Sequence, residues 1–119
     1  MPLTNVDTAL RDIAAAIEII ERSTASMDCD DFRGDPKTIA TVERNLEAIS
    51  QAAIRLGEDA EHRCPGPPWR DIRGMGNWLP KRHEWNWLAA VWKMVRTDLP
   101  TLKATVLRAL DTPAGSSAG

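Results

Sequence analysis

A chain of 119 residues, 43% hydrophobic and 27% charged, suits one globular domain with a modest core and leaves no room for a second. The formal net charge of −2 argues against indiscriminate binding to nucleic acid, and no apolar run approaches the roughly 20 residues that cross a bilayer. The N-terminus lacks a basic-then-apolar leader, and Cys29 and Cys64 lack CxxC or zinc-site spacing, so the chain reads as a cytoplasmic protein with two reduced thiols. Neither a metal nor a cofactor is expected.

Val6, Leu10, Ile13, Ile17 and Ile20 recur at spacings of four and three, one face of a helix that should run from about Thr4 or Asn5 to Ser26. Asp28 to Gly34 reads as an acidic connector in which Phe32 plugs the core. Asp35-Pro36 is a strong helix start, a capping carboxylate followed by a residue whose missing amide costs nothing in the first turn. Ile39, Val42, Leu46, Ile49, Ala53 and Leu56 continue that second helix to Gly57, and the two long helices should pack antiparallel. Ile19 and Ile54 lie off the stripes and suggest a second packing surface, such as a dimer contact.

Glu58 to Arg63 predicts a short helical turn, Cys64-Pro-Gly-Pro-Pro68 a break, and Trp69 to Met75 another short helix. A new helix is expected near Glu84, with Trp85, Leu88, Trp92 and Val95 on its buried face. Asp98-Leu99-Pro100 should either cap a further helix or bend the preceding one, and Leu99, Leu102, Val106 and Leu110 form the last stripe. Residues 1–111 therefore read as a single all-α domain, an up-and-down bundle of four to five helices. Residues 112–119 read as a disordered tail.

The chemistry concentrates between Trp69 and Trp92, which holds all five tryptophans, His83 and two close glycines, Gly74 and Gly76. From His62 to His83 there are five cations, Arg63, Arg70, Arg73, Lys81 and Arg82, against one carboxylate, Asp71, so a local cationic face could steer a phosphate-bearing ligand. A histidine titrating near neutrality can accept a proton from a ribose 2′-hydroxyl, and a neighbouring cation can stabilise a phosphorane-like transition state. The plainer reading makes His83 a surface residue at a helix start and Trp69 and Trp92 core filler, with one of Trp78, Trp85 and Trp87 free to line a groove or stack on a base.

LRDIAAAIEIIER, DPKTIATVERNLEAISQAAIRL, PWRDIRGMGN and LAAVWKMVRTDLPTLKATV follow one another from about Leu10 to Leu110. In these words and their order the chain resembles the HepT-like proteins of the HEPN superfamily. The resemblance implies an all-helical bundle, usually a homodimer, that acts as a metal-independent ribonuclease toxin on RNA and is paired with a small nucleotidyltransferase antitoxin. The family's motif is an arginine, an adjacent asparagine, a histidine a few residues on, and a tyrosine two beyond it. Asn77 stands at the asparagine, and His83-Glu84-Trp85 resembles the histidine end, with tryptophan replacing tyrosine. Gly76 occupies the arginine position, and counting without gaps would place Lys81 rather than His83 at the histidine. The resemblance thus implies a degenerate site with His83 and Asn77 as catalytic residues. Arg82 would substitute for the arginine, and Arg73 and Lys81 would hold phosphate. The competing reading is a non-catalytic dimer that binds RNA or the nucleotidyltransferase.

Overall fold

A computed structural model describes residues 5–78 and 85–111, without the side chains of residues 77, 78, 85 and 86. Its elements are all helical: α1 (Asn5–Thr24), α2 (Cys29–Arg33), α3 (Pro36–Leu56), α4 (Asp59–Arg63), α5 (Trp69–Arg73), α6 (Met75–Trp78), α7 (Trp85–Lys93), a π-helical turn (Met94–Asp98) and α8 (Leu99–Asp111). Three long rods, α1, α3 and the unbroken run from α7 through α8, make the all-α bundle, and the short helices fill the links between them. None of the described helices is long and apolar enough to cross a membrane. The expected tail, 112–119, lies outside the described residues.

The stripes read from the sequence become the core. Leu10, Ile13, Ile17 and Ile20 of α1 are fully buried against Val42, Leu46, Ile49 and Ala53 of α3, with Ala9, Ala14 and Ala16 allowing close approach of neighbours. The two rods are antiparallel, since Arg55 near the end of α3 pairs with Asp12 near the start of α1 at 2.6 Å. The third rod runs antiparallel to α1 on another side. Lys103 pairs there with Glu21 at 2.8 Å. The off-stripe residues Ile19, Ile54 and Leu107 remain exposed.

Between α1 and α3 the acidic connector is itself a helix. Asp28 and Asp31 form a capping box, each side chain accepting from the other's backbone amide at 2.8 and 3.1 Å, so these carboxylates terminate a helix. Phe32 is fully buried, as expected. Its ring lies 5.2 Å from that of Trp92, whose face is covered by the Arg96 guanidinium, and Arg96 in turn donates to the Met27 carbonyl at 2.5 Å. That stack ties the connector to the third rod. Asp35 caps α3 through the Thr38 amide at 3.1 Å, and Gly57 ends it with φ +54° and ψ −140°, a positive-φ cap that is not the left-handed helical one expected.

Pro100 neither starts a separate helix nor breaks the rod. A proline has no N–H to offer and its ring strikes the carbonyl four residues back. The chain opens into the wide π turn immediately before it, where the Leu99 amide reaches the Met94 carbonyl five residues earlier. The buried positions are Trp87, Val91, Val95 and Leu99, while Leu88 and Trp92 of the expected stripe are only partly covered. Trp69 is core, as expected, and so is Trp87.

At one end of the bundle Arg63 closes the structure. Its guanidinium donates to Asp7 in the first turn of α1 at 2.8 Å and to the Ala109 carbonyl in the last turn of α8, and both charged side chains are largely covered, at 14% and 19% exposure. The next residue, Cys64, is buried with its Sγ 3.8 Å from the Thr105 carbonyl, and its own carbonyl accepts from Trp69 Nε1 at 2.7 Å. The proline-rich link is thereby pinned at both ends. Arg63→Met should lower stability by about 2 kcal/mol, the scale for leaving a mostly buried carboxylate without its charged donor. Arg63→Lys should recover less than half of that loss, because an ammonium cannot reach two acceptors with a planar fork. Urea denaturation at neutral pH reads both values.

Candidate functional site

The corner between α5 and α6 carries the described part of the candidate stretch. α5 ends where Gly74 turns the chain, its amide donating to the Arg70 and Asp71 carbonyls at 3.1 Å each. The corner rests on α3, where the buried Ser50 hydroxyl donates to the Arg73 carbonyl at 3.0 Å. Ile72 and Met75 on either side of it are buried, as is Trp69 at the start of α5, so three apolar side chains and the Ser50 hydrogen bond anchor α5 and α6 to the core.

Arg73 faces α4. Its guanidinium makes a two-pronged ion pair with Glu61, at 3.0 and 2.9 Å, and also donates to the Gly57 carbonyl at 3.2 Å. The Arg73 bonds hold the Glu61 carboxyl below the usual glutamate range, and the same pair raises Arg73 further above its own. Planar two-pronged pairing is the strong form of this contact. With Glu61 half exposed, solvent screens it.

Gly76 follows on the exposed side of α6. A Cβ built on it would have the Ser50 Oγ at 3.8 Å, ordinary van der Waals contact. The position where the resemblance expects an arginine therefore accepts a side chain without moving the backbone. Asn77 belongs to α6 by its backbone, while its side chain and the expected site residues Lys81, Arg82 and His83 lie outside the described residues. The description resumes at Trp85 with α7, so α6 and α7 bracket the candidate segment.

The cationic count along 62–83 does not translate into one face. Arg63 is turned inward to Asp7 and Ala109, and Arg73 is matched by Glu61; Arg70 is the exposed member among the described ones. Sequence reasoning missed the partners that decide this. Ser50 left a legible trace, a small hydroxyl on the same helical stripe as Leu46 and Ala53, where two backbones meet closely. Glu61 and Asp7 left none, because their partners lie 12 and 56 residues away.

Comparison with known proteins places this architecture. The family model described as "Ribonuclease HepT-like" matches residues 13–109. A protein of Thermococcus cleftensis named "Probable ribonuclease HepT" is 37% identical over 94 residues, covering 79% of this chain and 86% of that one. From Methanocaldococcus jannaschii, "Putative RNase MJ0127" is 30% identical over 84% of this chain and 83% of its own length. "Putative RNase MJ1380" of the same organism is 26% identical over 89% and 97%. No solved structure is significantly similar.

The Glu61–Arg73 pair predicts a pH signature. A carboxyl depressed on folding contributes stability that is present above its unfolded value and lost as the pH falls through the folded one. Glu61→Gln should therefore be less stable than wild type at pH 7, and the gap should close as the pH drops below about 4.3. Asp35, also depressed, through its bonds to Thr38, titrates in both proteins and cancels in the comparison. Urea melts at pH 7 and pH 3 measure the gap. A gap of equal size at both would detach Glu61 from Arg73.

Proposed function

The chain belongs to the ribonuclease HepT-like family, and from that membership we propose that it is an endoribonuclease with a degenerate active motif, working without a metal and serving as the toxin of a toxin–antitoxin pair. The observation that carries the reading is the extent of the family match, residues 13–109, which runs through Asn77 and His83. In this mechanism His83 takes the proton from a ribose 2′-hydroxyl. The freed oxygen bonds to the adjacent phosphorus, the bond from phosphorus to the 5′ oxygen breaks, and that oxygen leaves with a proton. The products are a 2′,3′-cyclic phosphate and a 5′-hydroxyl end. Asn77 orients the phosphate, Arg82 offsets its growing charge, and Lys81 and Arg73 attract the RNA backbone.

Two features shape how well this works. Gly76 has no charge to offer, so the transition state relies on cations further along the segment. Arg73 is engaged with Glu61 and contributes to phosphate binding only by exchanging that partner for RNA. Both favour a second reading, a non-catalytic family member that binds RNA or the partner enzyme. The chain also has no tyrosine, so a nucleotidyltransferase antitoxin would act here by binding or by modifying another residue. The exposed Ile19 and Ile54 are the apolar positions we assign to the homodimer contact.

Transfer RNA incubated with purified protein in the presence of a chelator tests the reading. Wild type should cut it, and His83→Ala should lose at least about a hundredfold in rate, the usual range for a general base. Gly76→Arg should cut faster than wild type, because the site accepts the side chain and regains the missing charge. Intact RNA at enzyme excess for both wild type and Gly76→Arg would leave the binding reading in its place.

A further inference from the structure

A groove of about 570 Å³ opens between the Gly66–Pro68 link, the α5–α6 corner, and the π turn with the start of α8. It lies apart from the ion pair of Arg73 and from the dimer contact assigned above. The floor is apolar, made by Ile72, Met75, Leu99 and Leu102 with Met94 at its edge, and the size suits a small organic ligand. The polar side chains of the groove are two carboxylates and three threonine hydroxyls.

Asp71 and Asp98 both line the groove, and neither makes an ion pair or a cap bond with a described residue. Among the other described carboxylates, Asp7, Asp12, Glu18, Glu21 and Glu61 are matched by cations and Asp28, Asp31 and Asp35 by helix amides. Asp30, Glu47, Glu58, Asp59 and Asp111 also make no ion pair or cap bond with a described residue, and what sets Asp71 and Asp98 apart from these is that they line a groove. One wall is a ridge of Thr97, Thr101 and Thr105 at one-turn spacing. The hydroxyl of Thr101 donates to the Thr97 carbonyl and that of Thr105 to the Thr101 carbonyl, so both protons are engaged and the oxygens present lone pairs. No lysine, arginine or histidine lines the groove among the described residues. Of the cations on its wall elements, Arg96 turns to Trp92 and Met27, Lys103 to Glu21 and Arg73 to Glu61, while Arg70, next to Asp71 in sequence, is exposed and is not among the lining residues. Met94, Thr97 and Asp98, at i, i+3 and i+4, share one side of the rod and lie within the π turn, and such turns recur at functional sites.

A wall of acceptors over an apolar floor repels phosphate and calls for a ligand that is cationic, rich in N–H donors and built on methylenes. We propose that this groove binds an aliphatic polyamine, whose ammonium groups engage Asp71 and Asp98 while its methylene chain lies over Met75 and Leu102. The pairing is charge-assisted at both carboxylates and leaves no polar group of the ligand facing the floor.

Titration calorimetry of the RNA-free protein with spermidine tests this. One spermidine should bind per chain, and 1,8-octanediol, a methylene body without charge, should not. Asp71→Asn and Asp98→Asn, isosteric changes at exposed positions, should each weaken binding about tenfold, the scale of one charged hydrogen bond. Thr101→Lys, which fills the groove with a tethered cation, should abolish it, with circular dichroism confirming the fold of every variant. Absence of binding, more than one spermidine per chain, or unchanged affinity in the double Asp-to-Asn variant would each overturn the proposal. So would tighter binding of acetyl-lysine methylamide than of spermidine, which would give the groove to a partner protein's lysine. Because no RNA is present, the outcome is independent of the ribonuclease reading.

Discussion

A single guanidinium, that of Arg63, must satisfy the first turn of α1 and the last turn of α8 at the same time, and the rest of the molecule is arranged around that requirement. A largely covered charge is tolerated only when its donors are matched, and Asp7 and the Ala109 carbonyl match them from two different rods. Arg63 sits at the end of α4, so the same contact fixes where the proline-rich link begins. Cys64 and Trp69 then lock the link through their carbonyl and indole, and Ser50 receives the corner that follows. The corner that precedes the candidate segment is therefore carried by a chain of contacts that starts at a largely covered ion pair some distance away.

The three rods were legible because burial of a helix face leaves a spacing of three and four in the sequence, and Asp35-Pro36 and Gly57 marked ends that the structure keeps. What escaped was of two kinds. The stripe read through Leu88 and Trp92 lies one residue beyond the buried Trp87 and Val91 of α7, and the π turn that follows left no spacing of its own in the sequence. Pro100 was visible, but whether a proline ends, kinks or widens a helix depends on what lies beside it. The second kind is pairing across distance. A count of charges along 62–83 assigned Arg63 and Arg73 to a common face, whereas Asp7 and Glu61 draw them apart.

The candidate site shows the same division. Family membership could be read from words spread over most of the chain, since helical stripes and link residues are set by the fold the relatives share. The proposed chemistry rests on fewer positions, and there the resemblance implies a departure from the pattern. Gly76 lies exposed over Ser50 with room for a larger residue, so its smallness is no packing necessity. In the proposed reading the scaffold that would present an arginine is kept while the arginine is not. The backbone of the corner is held by Ser50, Ile72 and Met75, none of which has a role in the proposed reaction.

One guanidinium spanning Asp7 and Ala109 also means that the outer ends of the first and last rods are near neighbours. A short tether between them would close the polypeptide into a ring without stretching across the domain. New termini could then be cut at the α2–α3 junction, where Gly34 already turns the backbone outside any rod. The native order of the helices is in that sense one of several orders in which the same packed object could be written.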